Sequence, residues 1–477
     1  MKNRILTVAF CGWMTMVSGI AGAQAKTQMT LKQCIETGIA NNLDVKTREL
    51  QAQTNKANWT QAKLALLPNL NGNAGLSFNQ GRSIDPFTNQ PVTQSFNSSN
   101  YGVTSNVLLF NGLAYQNYIK QTSLAFQASE MDWQQQKDNL TINIILAYLQ
   151  VLTFEDQLTQ ATNQAGYSQK QVERLLGMNN QGAIKPSDLT DLQGQYNGDQ
   201  LTIINTQNSL ETAKINLSQL MNIPYIKDLQ LERIDPASVA TNYEDNPDKI
   251  YQTALQQFAQ IKAVDLRAKS AGKAVQVQRG FLYPALSFGA NVSTRYSSVA
   301  TQNNFVNTTT EQSTNFVDVS GTQYPVFVKQ DNYATSKIGF RDQINNNLYT
   351  SYGFNLTLPI FNNWQQRTRL KQAKINYTLS DATAKTARTQ LNQAINQAYT
   401  NMISASGRLT TLTEQVKAYT ESFRQAEIRF NEGVGTSIDY LLAKTRIDAA
   451  NISLINAKYD FVLRMKILDY YQGKALW

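Results

Sequence analysis

Two kinds of apolar spacing alternate along this chain. From Ala384 the small and apolar residues fall at Ala384, Ala387, Leu391, Ala394, Ala398, Met402, Ala405, Leu409, Leu412, Val416, Tyr419, Phe423, Ala426 and Phe430. The steps are three and four residues, which is a heptad seam, with one four-four step at Ala394–Ala398–Met402 where the supercoil locally unwinds. The first half carries the same seam at Leu140, Ile144, Ala147, Val151, Phe154, Leu158, Ala161, Ala165, Ser168, Val172 and Leu175. A helix from Trp364 to Glu432 spans about 100 Å at 1.5 Å per residue, too long for a compact domain. The remaining faces are Gln, Asn, Thr and Ser. Helices in a single layer with water on both sides fit this pattern, and so does an ordinary solvated coiled coil.

The second spacing has period two. Leu70, Gly72, Ala74, Leu76 and Phe78 alternate with Asn69, Asn71, Asn73 and Ser77, and Tyr101, Val103, Ser105, Val107 and Leu109 with Asn100, Gly102, Thr104 and Asn106. In the second half Leu286, Phe288, Ala290, Val292 and Tyr296 alternate with Ser287, Asn291, Ser293 and Arg295. Leu348, Tyr352, Phe354, Leu356 and Leu358 alternate with Tyr349, Ser351, Asn355 and Thr357. These patterns predict strands at 69–79, 99–110, 285–297 and 348–359. Each is about the length at which a tilted strand crosses a bilayer. Apolar-out, polar-in alternation suits an outer-membrane barrel; a soluble half-buried sheet alternates in the same way. Polar Gly/Asn/Thr-rich loops are expected at about 80–98 and 297–347. Pro68, Pro284 and Pro359 stand where helix and strand exchange. Four strands cannot enclose an aqueous pore, and an open sheet would leave unpaired backbone groups in hydrocarbon. If these strands lie in a membrane, several chains must share one barrel.

The order of signals occurs twice. Leu66-Leu67-Pro68-Asn69-Leu70 matches Leu282-Tyr283-Pro284-Ala285-Leu286, and Val107-Leu108-Leu109-Phe110-Asn111-Gly112 matches Leu358-Pro359-Ile360-Phe361-Asn362-Asn363. Gly182-Ala183-Ile184-Lys185-Pro186-Ser187-Asp188 matches Gly433-Val434-Gly435-Thr436-Ser437-Ile438-Asp439. The chain is therefore an internal duplication, each repeat reading helix, two strands, long helix, turn, helix. The first repeat covers 26–221, a segment with Pro224 and Pro236 covers 222–245, and the second repeat covers 246–477.

Residues 1–25 read as a secretory signal peptide. Lys2 and Arg4 precede an apolar stretch from Ile5 to Ile20, and Ala21-Gly22-Ala23 and Ala23-Gln24-Ala25 are small-x-small cleavage sites. Gly12, Thr15 and Ser18 interrupt the stretch, against a membrane anchor. Bulky Phe10 precedes Cys11, against a lipoprotein. Cleavage leaves Cys34 as the single thiol, read as a packed small residue. No other segment is apolar enough for a transmembrane helix.

Composition narrows the chemistry. The 477 residues include no His and two Cys, with net charge +9 that falls to +7 once Lys2 and Arg4 are removed. Histidine-dependent nucleophiles, His-based metal sites and four-thiolate zinc sites are excluded. There is no Walker motif, nucleotide fingerprint or catalytic constellation, so no enzyme, cofactor or metal is expected. The basic residues form no stripe, which argues against nucleic acid.

Taken together, the chain resembles the TolC-like family of outer-membrane efflux and export channels, from about Met29 to Gly473. The residues that carry this are the Leu31–Ala40–Asn41-Asn42-Leu43 helix pattern, Leu67-Pro68-Asn69-Leu70, Leu109-Phe110-Asn111-Gly112, and the two turns Gly182–Asp188 and Gly433–Asp439. The resemblance implies a mixed α and β membrane protein: a homotrimer with a transmembrane β-barrel of twelve strands, four per chain, and a coiled-coil-like helical barrel in the periplasm of a Gram-negative cell. It also implies outer-membrane lipid around the barrel, a periplasmic adaptor protein, and an inner-membrane pump or exporter reached through that adaptor. The segment 222–245 then forms part of a belt around the helical barrel, or is simply a linker. The competing reading is a structural or adhesive coiled-coil surface protein with a small β-domain.

In the channel reading the two turns form the periplasmic tip and dock the adaptor. Gly182, Pro186, Gly433 and Gly435 allow sharp reversal, and Ser187 and Thr436 are expected to cap the returning helices beside Ser437. Asp188, Asp191 and Asp439 are the gate candidates. Asp188 and Asp191 share a helix face, and in a trimer these carboxylates would ring the constriction, where such rings favour cations. The simpler reading of Asp188 and Asp439 is stabilisation of the helix dipole alone. The resembled family carries an aspartate pair on the returning helix of its second repeat. Here Asp439 fits the first position, Leu442 occupies the second, and the intact pair is Asp188 and Asp191 of the first repeat.

Overall fold

The computed structural model describes residues 28–84, 89–93, 95–234 and 246–474. The expected signal peptide lies outside these residues, as does 235–245 of the segment between the repeats. In chain order the elements are β1 (Gln28–Met29), α1 (Leu31–Asn41), α2 (Leu43–Leu64), β2 (Asn69–Asn79), β3 (Ser83–Ile84), β4 (Pro91–Val92), β5 (Phe96–Phe110), α3 (Ala114–Asn180) and α4 (Pro186–Met221). They continue with β6 (Gln230–Leu231), α5 (Pro247–Gln257), α6 (Ala259–Gly280), β7 (Ala285–Ser297), β8 (Thr301–Val319), β9 (Thr322–Lys337), α7 (Phe340–Asn346), β10 (Tyr349–Thr357), α8 (Gln365–Asn431) and α9 (Ser437–Tyr471).

The duplication is visible in helix lengths and in backbone angles. Helices α1 and α5 both have 11 residues, α2 and α6 both 22, α3 and α8 both 67. Where strand passes into long helix, each repeat places two successive residues in the left-handed region: Gly112 and Leu113 at φ 63° each, Asn363 and Trp364 at 52° and 58°. Leu113 and Trp364 are costly residues for that region, so the turn geometry overrides local preference at this junction. Gly112 has a second constraint, since a Cβ there would meet the Gly280 carbonyl oxygen at 2.4 Å.

The chain divides into two compact units. The first comprises Met1–Arg48, Trp133–Phe258 and Thr389–Trp477. Its core gathers Cys34, Ile35, Ile144, Tyr148, Leu152, Leu217, Met221, Tyr459 and Val462 around the short parallel pair β1–β6. Tyr148 closes that pair by donating its hydroxyl to Glu232 O at 2.6 Å and Met29 O at 3.2 Å. Cys34 is fully buried, and burial pushes its thiol up to about 12, so it packs as a small inert residue.

The second unit comprises Glu49–Asp132 and Ala259–Arg388. Its sheet has the order β10-β7-β5-β2, every neighbouring pair antiparallel. The register puts the apolar positions of all four strands on one face. Gly72 pairs with Val103 and Val103 with Val292, while Phe288 pairs with both Val107 and Phe354. That face is bare: Leu70 and Phe78 are 76% exposed, Tyr352 79% and Phe354 71%. The opposite face is lined by Asn69, Asn73, Asn100, Asn106, Asn291 and Asn355, some lying over glycines of the neighbouring strand, Asn100 over Gly75 and Asn73 over Gly102. Beside the sheet, Trp59 of α2 stacks on Phe126 of α3 at 5.8 Å, and Arg388 of α8 reaches Asp265 of α6 at 2.5 Å.

Two expectations need correction. The seam of α8 runs through Ile395, fully buried, and not through Ala394, which is exposed; the four-four step therefore lies at Ala387–Leu391–Ile395. Burying the larger aliphatic side chain outweighs the small-residue pattern. The 297–347 segment, expected as a polar loop, holds a long hairpin, β8 paired with β9, followed by α7. Its turn has Ser320 and Gly321 at φ 56° and 83°, the left-handed pair that matches strand twist. Most of its residues are exposed on either side, so the apolar–polar alternation of a half-buried strand was missing from its sequence. Gln343 of α7 anchors its base, accepting from Ser297 N at 2.8 Å and donating to Ser297 O and Ile338 O at 2.9 Å each.

Candidate functional site

The expected tip residues all fall in the first unit, where the reversals α3–α4 and α8–α9 pack together. Gly182 and Gly433 end their long helices at φ 72° and 73°, the left-handed conformation that glycine adopts without a side-chain clash. Ala183 N donates to Met178 O and Val434 N to Arg429 O, both at 3.0 Å, so the two turns close alike. Between them lies a cleft of about 460 Å³ lined in part by Met178, Ile184, Lys185, Asp188 and Phe430.

The returning helices start differently. Thr436 caps α9: its Oγ1 accepts from Asp439 N at 3.1 Å and donates to Asp439 Oδ2 at 2.8 Å. Ser187 does not cap α4. The chain enters α4 through Lys185, which makes no side-chain cap bond, and Pro186 supplies the first turn, where a missing N–H costs nothing. Ser187 therefore already lies inside the helix.

The three aspartates separate into distinct settings. Asp188 is half-buried and accepts from Ser437 Oγ at 2.9 Å, joining the turn of one repeat to that of the other. Asp439 is exposed and engaged with its own cap, and Asp191 is exposed on α4. A second tie between the turns was not foreseen. Arg174 donates to the Asn431 carbonyl at 2.7 Å and also to its side-chain oxygen, satisfying a carbonyl that the end of α8 leaves open. The apolar part of the site is Leu175, Leu189, Leu192 and Tyr440, with Phe430 stacked on Tyr440 at 5.0 Å. Burial pushes the Tyr440 phenol well above its ordinary range, so it stays neutral.

Along α4 and α9 from these turns lies a buried polar cluster that the sequence reading missed entirely. Lys444 Nζ contacts Asp199 Oδ2 at 3.0 Å and Asp448 Oδ2 at 2.7 Å. Asp199 also accepts from Ser168 Oγ and, at 2.8 Å, from Gln195 Nε2. Burial raises the Asp448 carboxyl above its usual range, only partly offset by the Lys444 contact. Only the four-residue step from Lys444 to Asp448 was a readable signal.

Among the described residues no group of acidic or cysteine side chains could hold a metal ion, and no helix is long and apolar enough to cross a membrane. Long paired helices, sharp return turns and a one-face-apolar sheet are thus what comparison with known proteins has to explain. Residues 34–222 and 250–468 match the family model described as outer membrane efflux protein. The chain belongs to that family. It is an outer-membrane protein of the efflux channel type. Among curated relatives, the outer membrane protein TolC of Vibrio cholerae is 22% identical over 85% of this chain and 81% of its own length. The alkaline protease secretion protein AprF of Pseudomonas aeruginosa is 22% identical over 86% of this chain and 77% of its own. Among solved structures, the outer membrane protein VceC from Vibrio cholerae superposes with a TM-score of 0.73 at 14% identity, covering 94% of this chain and 97% of that one. The efflux-family fold therefore extends over nearly the whole chain, as a helical barrel component joined to a β component.

Proposed function

We propose that three copies close their sheets into one outer-membrane barrel and form a passive duct from the periplasm to the exterior. The observation that carries this reading is the bare apolar face of an open four-stranded sheet. Strands β2 and β10 are its edges, and each would leave backbone groups unpaired in hydrocarbon. The strands run alternately up and down, so β10 of one copy meets β2 of the next in antiparallel sense. The polar, Asn-rich face then lines the lumen.

Energy comes from elsewhere, since the chain has no nucleotide motif. An inner-membrane pump or exporter, coupled through a periplasmic adaptor, supplies it. The adaptor docks on the return turns, into the cleft between Gly182 and Gly433. The tip is gated there, with Asp188, Asp191 and Asp439 of each copy as its carboxylates. Efflux of small molecules and secretion of proteins are both compatible with the names of the relatives.

The mass of the detergent-solubilised protein, corrected for bound detergent, tests the assembly. Three chains are expected, and a single chain overturns the shared barrel. Asp188→Ala combined with Asp191→Ala tests the gate: divalent-cation block should weaken, and unchanged cation preference would remove the carboxylates from that role. Adaptor crosslinks confined to 222–245 would move docking away from the tip.

A further inference from the structure

The four paired strands β2, β5, β7 and β10 carry a single ionisable side chain with a full charge at neutral pH, Arg295. Every other position is apolar, Gly, Ser, Thr, Asn or Tyr. Arg295 is exposed, and its register partner is Asn100. It therefore stands on the amide-rich face, in line with Asn291 and Ser293, and not among Val292 and Tyr296. With Asn73, Asn100 and Asn291 it lines a cavity of about 430 Å³ on that face. The backbone is fixed there by Asn347, whose Nδ2 donates to Arg295 O at 2.8 Å.

Its height on the sheet is also defined. Strand β7 starts at Ala285, just after helix α6, and Arg295 lies two residues before its other end at Ser297. It thus sits at the end from which the β8–β9 hairpin leaves, opposite the helix junctions. In the duct reading, on which this inference rests, that is the outward end of the lumen.

We propose that Arg295 is the selectivity residue of the barrel. Three guanidinium groups, one per copy, ring the outward end of the lumen and favour anionic solutes over small cations. A ring of arginines is a recognised way to build anion preference into a pore, and the low-dielectric wall strengthens its field. The nearest charges in sequence beyond β7 are Glu311 and Asp318 on β8 and Lys329 and Asp331 on β9, on the hairpin and outside the four paired strands.

The test is the reversal potential of the purified protein in planar bilayers under a potassium chloride gradient, for wild type, Arg295→Gln and Arg295→Lys. The potassium-to-chloride permeability ratio should rise about twofold or more in R295Q and stay near wild type in R295K. In wild type, inorganic tripolyphosphate added on the outward side should reduce the current, and in R295Q it should not. A ratio identical in wild type and R295Q, with equal conductance and equal trimer mass, overturns the ring while leaving the duct intact. A wild-type current indifferent to tripolyphosphate overturns it even if R295Q fails to assemble. A single-chain mass without conductance in wild type overturns the duct reading, and the ring with it.

Discussion

Lys444 Nζ lies 3.0 Å from Asp199 Oδ2 with both side chains at least nine-tenths buried, and this pair ties the returning helix of one repeat to that of the other. Two charges withdrawn from water in this way gain little against a well-packed apolar pair, but each depends on the other. Lys444→Met should strand Asp199 and destabilise the first unit by about 3–5 kcal/mol. Thermal unfolding followed by helical circular dichroism would measure this. Adding Asp199→Leu and Asp448→Asn should recover most of the loss, because neither carboxylate that Lys444 paired then remains. A single mutant as stable as wild type would show that the pair is not closed in solution.

Asp448 gives this cluster a pH dependence whose sign is fixed. Burial raises its carboxyl above the ordinary 3.8, so the folded protein binds this proton more readily than the unfolded chain. Stability from this group therefore rises as pH falls through the raised value, and its cost is gone below 3.8. Glu155 and Asp138 shift in the same direction through burial. The exposed Glu421 shifts the other way, held down to about 2 by Arg424, and loses its pairing only in stronger acid, below its ordinary 4.5. Comparing unfolding midpoints of wild type and Asp448→Asn from pH 7 down to just below 3.8, wild type should gain on the variant as pH falls. A gap that is constant with pH would contradict the assignment.

At the tip, Arg174 to Asn431 and Ser437 to Asp188 tie the two repeats together. Charge-assisted bonds of this kind are worth about 1.5–3 kcal/mol each. Arg174→Ala with Ser437→Ala should therefore speed amide exchange across 428–440 by about tenfold or more, since 1.4 kcal/mol is tenfold in an opening equilibrium. Exchange in β5 and β7 should not change. If the tip amides exchange at the wild-type rate, the turns are held by the apolar contacts of Tyr440 alone.

How far the sequence reading reached follows from how local each feature is. Strand positions and the common apolar face were legible, because period-two alternation survives wherever one face meets an apolar surface. Long helices were legible from the three-four steps, although the choice between Ala394 and Ile395 depended on which of two adjacent residues could be buried. The β8–β9 hairpin was not legible, since with both sides largely solvated nothing in its polarity separates strand from loop. Nor were the contacts of Lys444 or Arg174. Their partners lie 245 and 257 residues away, and each reads by itself as an ordinary charge on a helix surface. Ser187 misled for the opposite reason: a good capping residue next to Pro186 was one position too late.

The assignment of the two sheet faces can be tested at adjacent residues of β10. Phe354 is 71% exposed and pairs with Phe288 on the apolar face, whereas Asn355 pairs with Ser287 on the amide-rich face. A lysine on the lipid side of a transmembrane barrel costs about 2–4 kcal/mol near the midplane, while lumen positions tolerate charge. Phe354→Lys should therefore reduce the trimer recovered from outer membranes, scored as heat-modifiable mobility on semi-native gels. Asn355→Lys should assemble normally and change ion selectivity instead. If Asn355→Lys blocked assembly and Phe354→Lys did not, the amide-rich face would be the one against lipid, which its Asn side chains make untenable in hydrocarbon. The strands would then have to pack against protein, and the outer-membrane barrel would lose its physical basis.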